Sequence, residues 1–327
     1  MERQVSDSGA CRTFQHGKSG GSMETHSVPA TARALVPYFI LGVASATIGL
    51  LPWILTGMRL PLQNLWASAT LPDDMPLVLL PFSQYLLTLI VGVLVTGSAI
   101  AGIICRLSKP RHPRFALTAV AMGTVGVQLT ATLQTANTVG DGLLRNSAAE
   151  LYLTALLCGT IASILIGLLV LVLMAKAPAP GAVAASSIAA VCCGLWLEGL
   201  LFPIGSLTTP SAVALTLVRW SPAVILGVAV GIAGLKSVGR VLAAVFGILM
   251  LWVAPALFTA ISVGGGTRVL AYQPAAMAQL GAEVFLNTLH PTLSTLVPLA
   301  IAAAIAVLVQ AVSKTVRRGR LSRVTLR

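Results

Sequence analysis

The stretch LPWILTGMRLPLQNLW, residues 51–66, closes a long apolar run with Pro52 and Pro61, and carries Trp53 and Trp66 on either side of Arg59, Gln63 and Asn64. Prolines stop a helix because they lack the N–H and clash with the preceding turn. Tryptophans gather where hydrocarbon meets water. The sequence therefore predicts a helix leaving a bilayer here, with both tryptophans as interfacial anchors. Arg59, Gln63 and Asn64 would then face water, headgroups or the mouth of a cavity.

Composition extends that reading to the whole chain. Of 327 residues, 56% are hydrophobic and only 9% charged, with a mean hydropathy of +0.91. A soluble domain carries about a quarter charged residues to cover its surface. Lipid is the solvent that fits. The net charge of +12 would suit nucleic acid, but the basic residues flank apolar segments and form no basic face, so no nucleic-acid partner is expected.

Eight runs approach the roughly 20 residues that cross a hydrocarbon core: 35–56, 78–105, 115–137, 150–174, 182–203, 218–235, 241–262 and 291–313. Their continuity excludes the alternating pattern of a membrane β-barrel. With the N-terminus inside, every Lys and Arg except Arg59, Arg145, Arg219 and Arg268 falls on the cytoplasmic side, as charge-guided insertion requires. The expected fold is an all-α, polytopic integral membrane helix bundle of eight spans with both termini cytoplasmic. Residues 1–33 are polar and rich in Ser, Gly and Thr, which predicts a disordered cytoplasmic tail; Met23 is a possible second start. Residues 34–313 form the membrane domain. Residues 314–327, KTVRRGRLSRVTLR, form a basic cytoplasmic tail attracted to anionic lipid.

The preference for Arg over Lys, with abundant Ala, Val and Gly, suits a GC-rich bacterium and its inner membrane. The five cysteines suggest no disulfide framework, and no Cys or His spacing suggests a metal. Neither cofactor nor metal is expected.

Glu198 is the one charge well inside an apolar run, and such residues are functional candidates because a carboxylate at a span's centre costs about 2.5–3.5 kcal/mol. It continues the small-residue stripe Ala182, Ser186, Ala190, Gly194, so it should face other helices. Arg219 is its expected partner, at an apparent Pro222 break in the sixth span; interrupted spans mark transporter sites. The third span adds Gln128, Gln134 and Asn137, with Thr124, Gln128, Ala131 and Thr135 sharing one helical face. These amides line a cavity or join helices. Small residues recur every four positions in the fourth span as Ala155, Gly159, Ser163 and Gly167, which lets helices approach closely. A last outer loop, GGGTR, precedes a helix on which Glu283 and His290 share a face, suited to lie at the interface over the bundle. With Arg59 and Arg268 they form an outer polar cluster.

Three classes of function follow. A transporter or permease-like protein is favoured by Glu198, the broken span and the polar third span. A non-catalytic subunit of a larger membrane assembly is favoured by the packing stripes. An outward-facing enzyme on lipid-linked substrates would use the outer Arg, Glu and His residues. No ATP-binding motif occurs, so any transport would be secondary or driven by a separate ATPase.

Overall fold

The computed structural model describes residues 30–108, 114–203, 209, 211–267 and 273–324. Its helices are α1 (Ala30–Gly49), α2 (Leu51–Leu55), α3 (Leu87–Leu107), α4 (Ala116–Gly142), α5 (Ser147–Lys176), α6 (Ala179–Leu201), α7 (Ala212–Ala233), α8 (Val238–Gly266), α9 (Pro274–Thr288) and α10 (Leu293–Val324). Among the described residues there is no strand. Seven helices, α3 to α8 and Leu293–Thr315 of α10, are long and apolar enough to cross a membrane. The chain is a multi-pass membrane protein built as an all-α bundle.

The first expected span is made differently from the other seven. The apolar part of α1, Ala34–Gly49, is shorter than they are. Its hydrogen-bond ladder continues through Leu50, whose N–H donates to the Ala46 carbonyl, while the Ile54 N–H donates to that of Leu50. At about 1.5 Å per residue Ala34–Gly49 is about 24 Å long, less than a hydrocarbon core of about 30 Å, so seven of the eight expected spans are long enough among the described helices.

The second span was expected over 78–105, but helix begins only at Leu87. Pro76 and Pro81 have no N–H to give and disfavour helix in the residue before them. Residues 56–86 instead form a strap between α2 and α3. Gly57, at φ +85°, turns the chain out of α2. The Val78 N–H then donates to the Met58 carbonyl at 2.9 Å, and the Leu60 N–H to that of Pro76 at 3.0 Å. Beyond this short antiparallel pairing the strap enters the bundle, and Val78, Leu80 and Phe82 are at most 1% exposed.

A buried non-helical backbone needs partners for its polar groups. The Leu79 N–H donates to Gln134 Oε1 at 2.9 Å and the Leu80 N–H to Thr135 Oγ1 at 2.9 Å. Gln134 Nε2 returns a bond to the Leu77 carbonyl at 3.1 Å. Trp53, expected at the interface, is 1% exposed, and its Nε1–H holds the Val78 carbonyl at 2.8 Å. It is a core residue that pins the strap.

The sixth span is not broken. α7 runs from Ala212 through Pro222 to Ala233. Proline at 222 frees the Val218 carbonyl from the helical ladder, and the Ser221 hydroxyl donates to that carbonyl at 3.2 Å. Small residues set the helix contacts: a Cβ on Gly123 would lie 2.3 Å from the Phe39 carbonyl oxygen of α1, and one on Gly194 2.9 Å from Pro222 of α7. α9 does not lie over the bundle. It runs antiparallel along α8, where Gly264 meets Met277 and Gly281, and Gly281 meets Ala260.

The strap and α9 mark one end of the bundle. The opposite end, where α3, α5 and α7 finish, carries Arg106, Lys176, Lys236 and Arg240.

Candidate functional site

α5 and α8 leave a groove between them, floored by α3 and α6. It encloses about 660 Å³. α5 contributes Ala155, Gly159, Ala162 and Ser163, too small to reach across; α8 contributes Phe246, Met250, Val253 and Leu257. Gly159 is decisive, since a Cβ there would meet nothing within 4 Å. From Ala155 to Leu169 the groove follows α5 for about 21 Å, roughly two thirds of a hydrocarbon core. Its α5 and α8 edges, including Leu169 and Leu257, are exposed on the outside of the bundle, so it opens sideways.

Toward the strap the groove continues into a second cavity of about 690 Å³ that shares Leu87, Ala155 and Leu156 with it. Here polar side chains join an otherwise apolar lining: Asn64 and Gln84 of the strap, and Ser147 and Tyr152 of α5. Gly265 of α8 and Pro274 and Met277 of α9 close the far side.

Local sequence explains why polar groups collect there. Asn146 caps α5, its Oδ1 accepting the Ala149 N–H at 2.8 Å, as expected where Asn precedes a helix with Glu150 in its first turn. The N–H groups of Ser147 and Ala148, both lining the cavity, lie outside the helix's own ladder at the positive end of its dipole. The Tyr152 hydroxyl donates to Gln63 Oε1 at 2.6 Å and accepts the Gln84 N–H at 3.2 Å, which fixes the strap to α5. Gln84 Nε2 is buried and has no hydrogen-bond partner among the described residues. A buried amide without a partner costs about 1–3 kcal/mol. The rim therefore sets the unpaired N–H groups at the start of α5 above an apolar groove. It suits an amphiphile whose headgroup accepts hydrogen bonds and whose chain is long. Among the described residues no three His, Cys, Asp or Glu side chains gather as a metal site would need.

The sequence candidates are placed elsewhere. Gln128 is 1% exposed, and its Nε2 donates to the Leu94 carbonyl at 2.8 Å and to Ser98 Oγ at 3.1 Å, joining α4 to α3. Gln134 holds the strap, as described, and Asn137 is exposed on α4. Glu198 does not face neighbouring helices as expected. It is exposed near the end of α6, and Arg219 is exposed on α7. α6 and α7 do meet, at Gly194 and Pro222, yet among the described residues Glu198 and Arg219 form no ion pair; the Arg219 guanidinium lies over the Trp220 ring at 4.9 Å. Arg59 donates within the strap to the carbonyls of Asp73 and Met75. Glu283 accepts from Gln279 of its own helix at 3.2 Å, and His290 is exposed beyond α9. Arg268 lies outside the described residues, as do residues 1–29 of the N-terminal tail and 325–327 of the basic one.

Sequence reading did not find Gln84, Ser147 and Tyr152. Two signals pointed to them: the Asn-Ser-Ala-Ala-Glu start of α5, and the prolines that hold Gln84 outside helix α3. Compared with known proteins, the chain matches no family model, no curated protein and no solved structure.

Proposed function

We propose that this protein is a permease-like handler of amphiphiles in a bacterial inner membrane, with both ends of the chain cytoplasmic. The basic end of the bundle then faces the cytoplasm, as the positive-inside rule asks, and the strap, α9 and the polar rim face outward. The ligand is an amphiphile with an acceptor-rich headgroup and a long apolar chain, which it draws sideways from the outer leaflet. The observation that carries the reading is the continuity of a polar rim, which holds the unpaired Ser147 and Ala148 N–H groups of α5, with the apolar groove between α5 and α8.

The test is photo-crosslinking of the purified full-length protein in lipid nanodiscs with a long-chain phosphate ester carrying a chain-end diazirine. Labels are expected on α5 and α8 residues of the groove, and competition by unlabelled amphiphile should remove them. Labels spread evenly over all lipid-facing helices would sink the proposal.

Exposed Glu198 and Arg219 favour a second reading, a subunit of a larger membrane assembly, since charges at that depth are costly where lipid alone covers them. The double variant Glu198→Leu with Arg219→Leu would then lower the assembly's mass in native nanodiscs. An unchanged mass would remove that reading.

A further inference from the structure

The basic end holds a cavity that the outer groove does not use. It encloses about 530 Å³ between the ends of α3, α5 and α7 and the start of α6 and α8. Arg106, Lys236 and Arg240 line it together with the apolar Ile103, Leu107 and Ile232. Two of these cations are held in place by backbone. Arg106 Nη1 donates to the carbonyls of Met174 at 2.8 Å and Ala177 at 3.1 Å, at the end of α5; Arg240 Nη1 donates to that of Ala233 at 2.8 Å, at the end of α7. Each guanidinium has five N–H donors, so both keep others for a ligand. Lys236 is exposed beside them.

Charge balance is the second, independent observation. Every described acid (Asp73, Asp74, Asp141, Glu150, Glu198 and Glu283) belongs to the half of the molecule that carries the strap and α9. Among the described residues, then, no carboxylate reaches the cavity to balance its three cations. Helix-end carbonyls offset only part of a charge each. A cavity between membrane helices with a cationic rim and alkyl walls matches a phosphate headgroup with its chain beside it.

We infer that this cavity binds one anionic phospholipid of the cytoplasmic leaflet. The phosphate meets Arg106, Lys236 and Arg240, and an acyl chain lies against Ile103, Leu107 and Ile232. The site is separate from the outer groove, so either stands if the other fails.

The experiment is native mass spectrometry of the full-length protein in neutral detergent, titrated with phosphatidylglycerol, phosphatidylcholine or inorganic phosphate. Phosphatidylglycerol should bind more tightly than phosphatidylcholine. Lys236→Gln should weaken it about fivefold, the effect of one surface charge on an anionic lipid, and Lys236→Arg should retain it. The basic C-terminal tail is the same in every variant, so its own attraction for lipid cancels. Equal affinity for the two lipids, or an unchanged Lys236→Gln protein, would overturn the inference. Competition by inorganic phosphate as strong as that by lipid would make this a soluble-anion site and overturn the lipid assignment. Should Lys236→Gln fail to fold, a headgroup-proximal photoreactive phosphatidylglycerol on the wild-type protein decides. Labels should fall within 103–107 and 232–240, and labels only elsewhere would overturn the site.

Discussion

Gly159 separates a groove from a merely loose helix contact. Its missing side chain faces open space, with nothing within 4 Å of a built Cβ, whereas a Cβ on Gly167, two turns along the same α5 stripe, would lie 2.7 Å from Ser98 Oγ. Glycine in a helix interior is about 1 kcal/mol less favourable than alanine. Gly159→Ala should therefore stabilise the protein by about 1 kcal/mol. Gly167→Ala gains the same propensity but meets an overpacking cost of about 1–3 kcal/mol, and should be neutral to destabilised by about 2 kcal/mol. Gly159→Phe should fold, because the ring has a cavity of about 660 Å³ to occupy, and should weaken binding of a long-chain amphiphile at least tenfold. The assay is thermal unfolding in detergent with and without ligand. At a ligand concentration about 100 times Kd the wild type gains about 2.7 kcal/mol. A tenfold weaker variant gains only about 1.4 kcal/mol under the same conditions. A destabilised Gly159→Ala, or a Gly159→Phe protein with undiminished ligand stabilisation, would refute the groove.

Packing elsewhere in the bundle is as sensitive. Gly123→Ala would set a methyl 2.3 Å from the Phe39 carbonyl oxygen, and should cost about 1–3 kcal/mol or more as α1 is forced off α4, read as a lower Tm. Gln134→Leu leaves the half-buried Leu79 N–H without its partner, at a cost of about 1–3 kcal/mol, and frees the exposed Leu77 carbonyl; proteolysis within the strap should rise in step. Reporter fusions after Lys176 should be active in the cytoplasm and those after Arg145 outside it, and one reversed loop would rule out the eight-crossing arrangement.

Much of this fold was legible because lipid imposes simple rules. A run of apolar residues of spanning length becomes a helix, since no other single segment satisfies its backbone in hydrocarbon. The polar face of α4 was legible too: Thr124, Gln128, Ala131 and Thr135 share a face by spacing, and all four are buried. What that face serves was not. Residues 78–86 are as apolar as a helix, and hydropathy alone does not distinguish buried helix from buried irregular chain. Pro76 and Pro81 carried the information, and the backbone partners at Gln134 and Thr135 are more than fifty residues away in sequence. Pro222 misled in the opposite direction, because a single hydroxyl, that of Ser221, takes up the carbonyl it frees.

The candidate site was hidden by a related ambiguity. Stripes of small residues say that something comes close, but not what. On α7, Gly227 and Gly231 meet Ala302, Ile305 and Val309 of α10, and on α6 Gly194 meets Pro222. On α5 the same stripe closes against α3 at Gly167 and stays open at Gly159. The difference lies in the neighbour, since no helix fills the space between α5 and α8. The groove is lined by apolar side chains and its edges open to the bilayer, so the occupant that suits it is an apolar chain. Any lipid tail would serve the groove alone. The rim narrows the choice, because the first N–H groups of α5 gain only from an occupant that brings acceptors. That asymmetry, a few ångströms of polar rim on a long apolar slot, is the ground for the proposal that the groove takes a ligand and is not only a seam in the bundle.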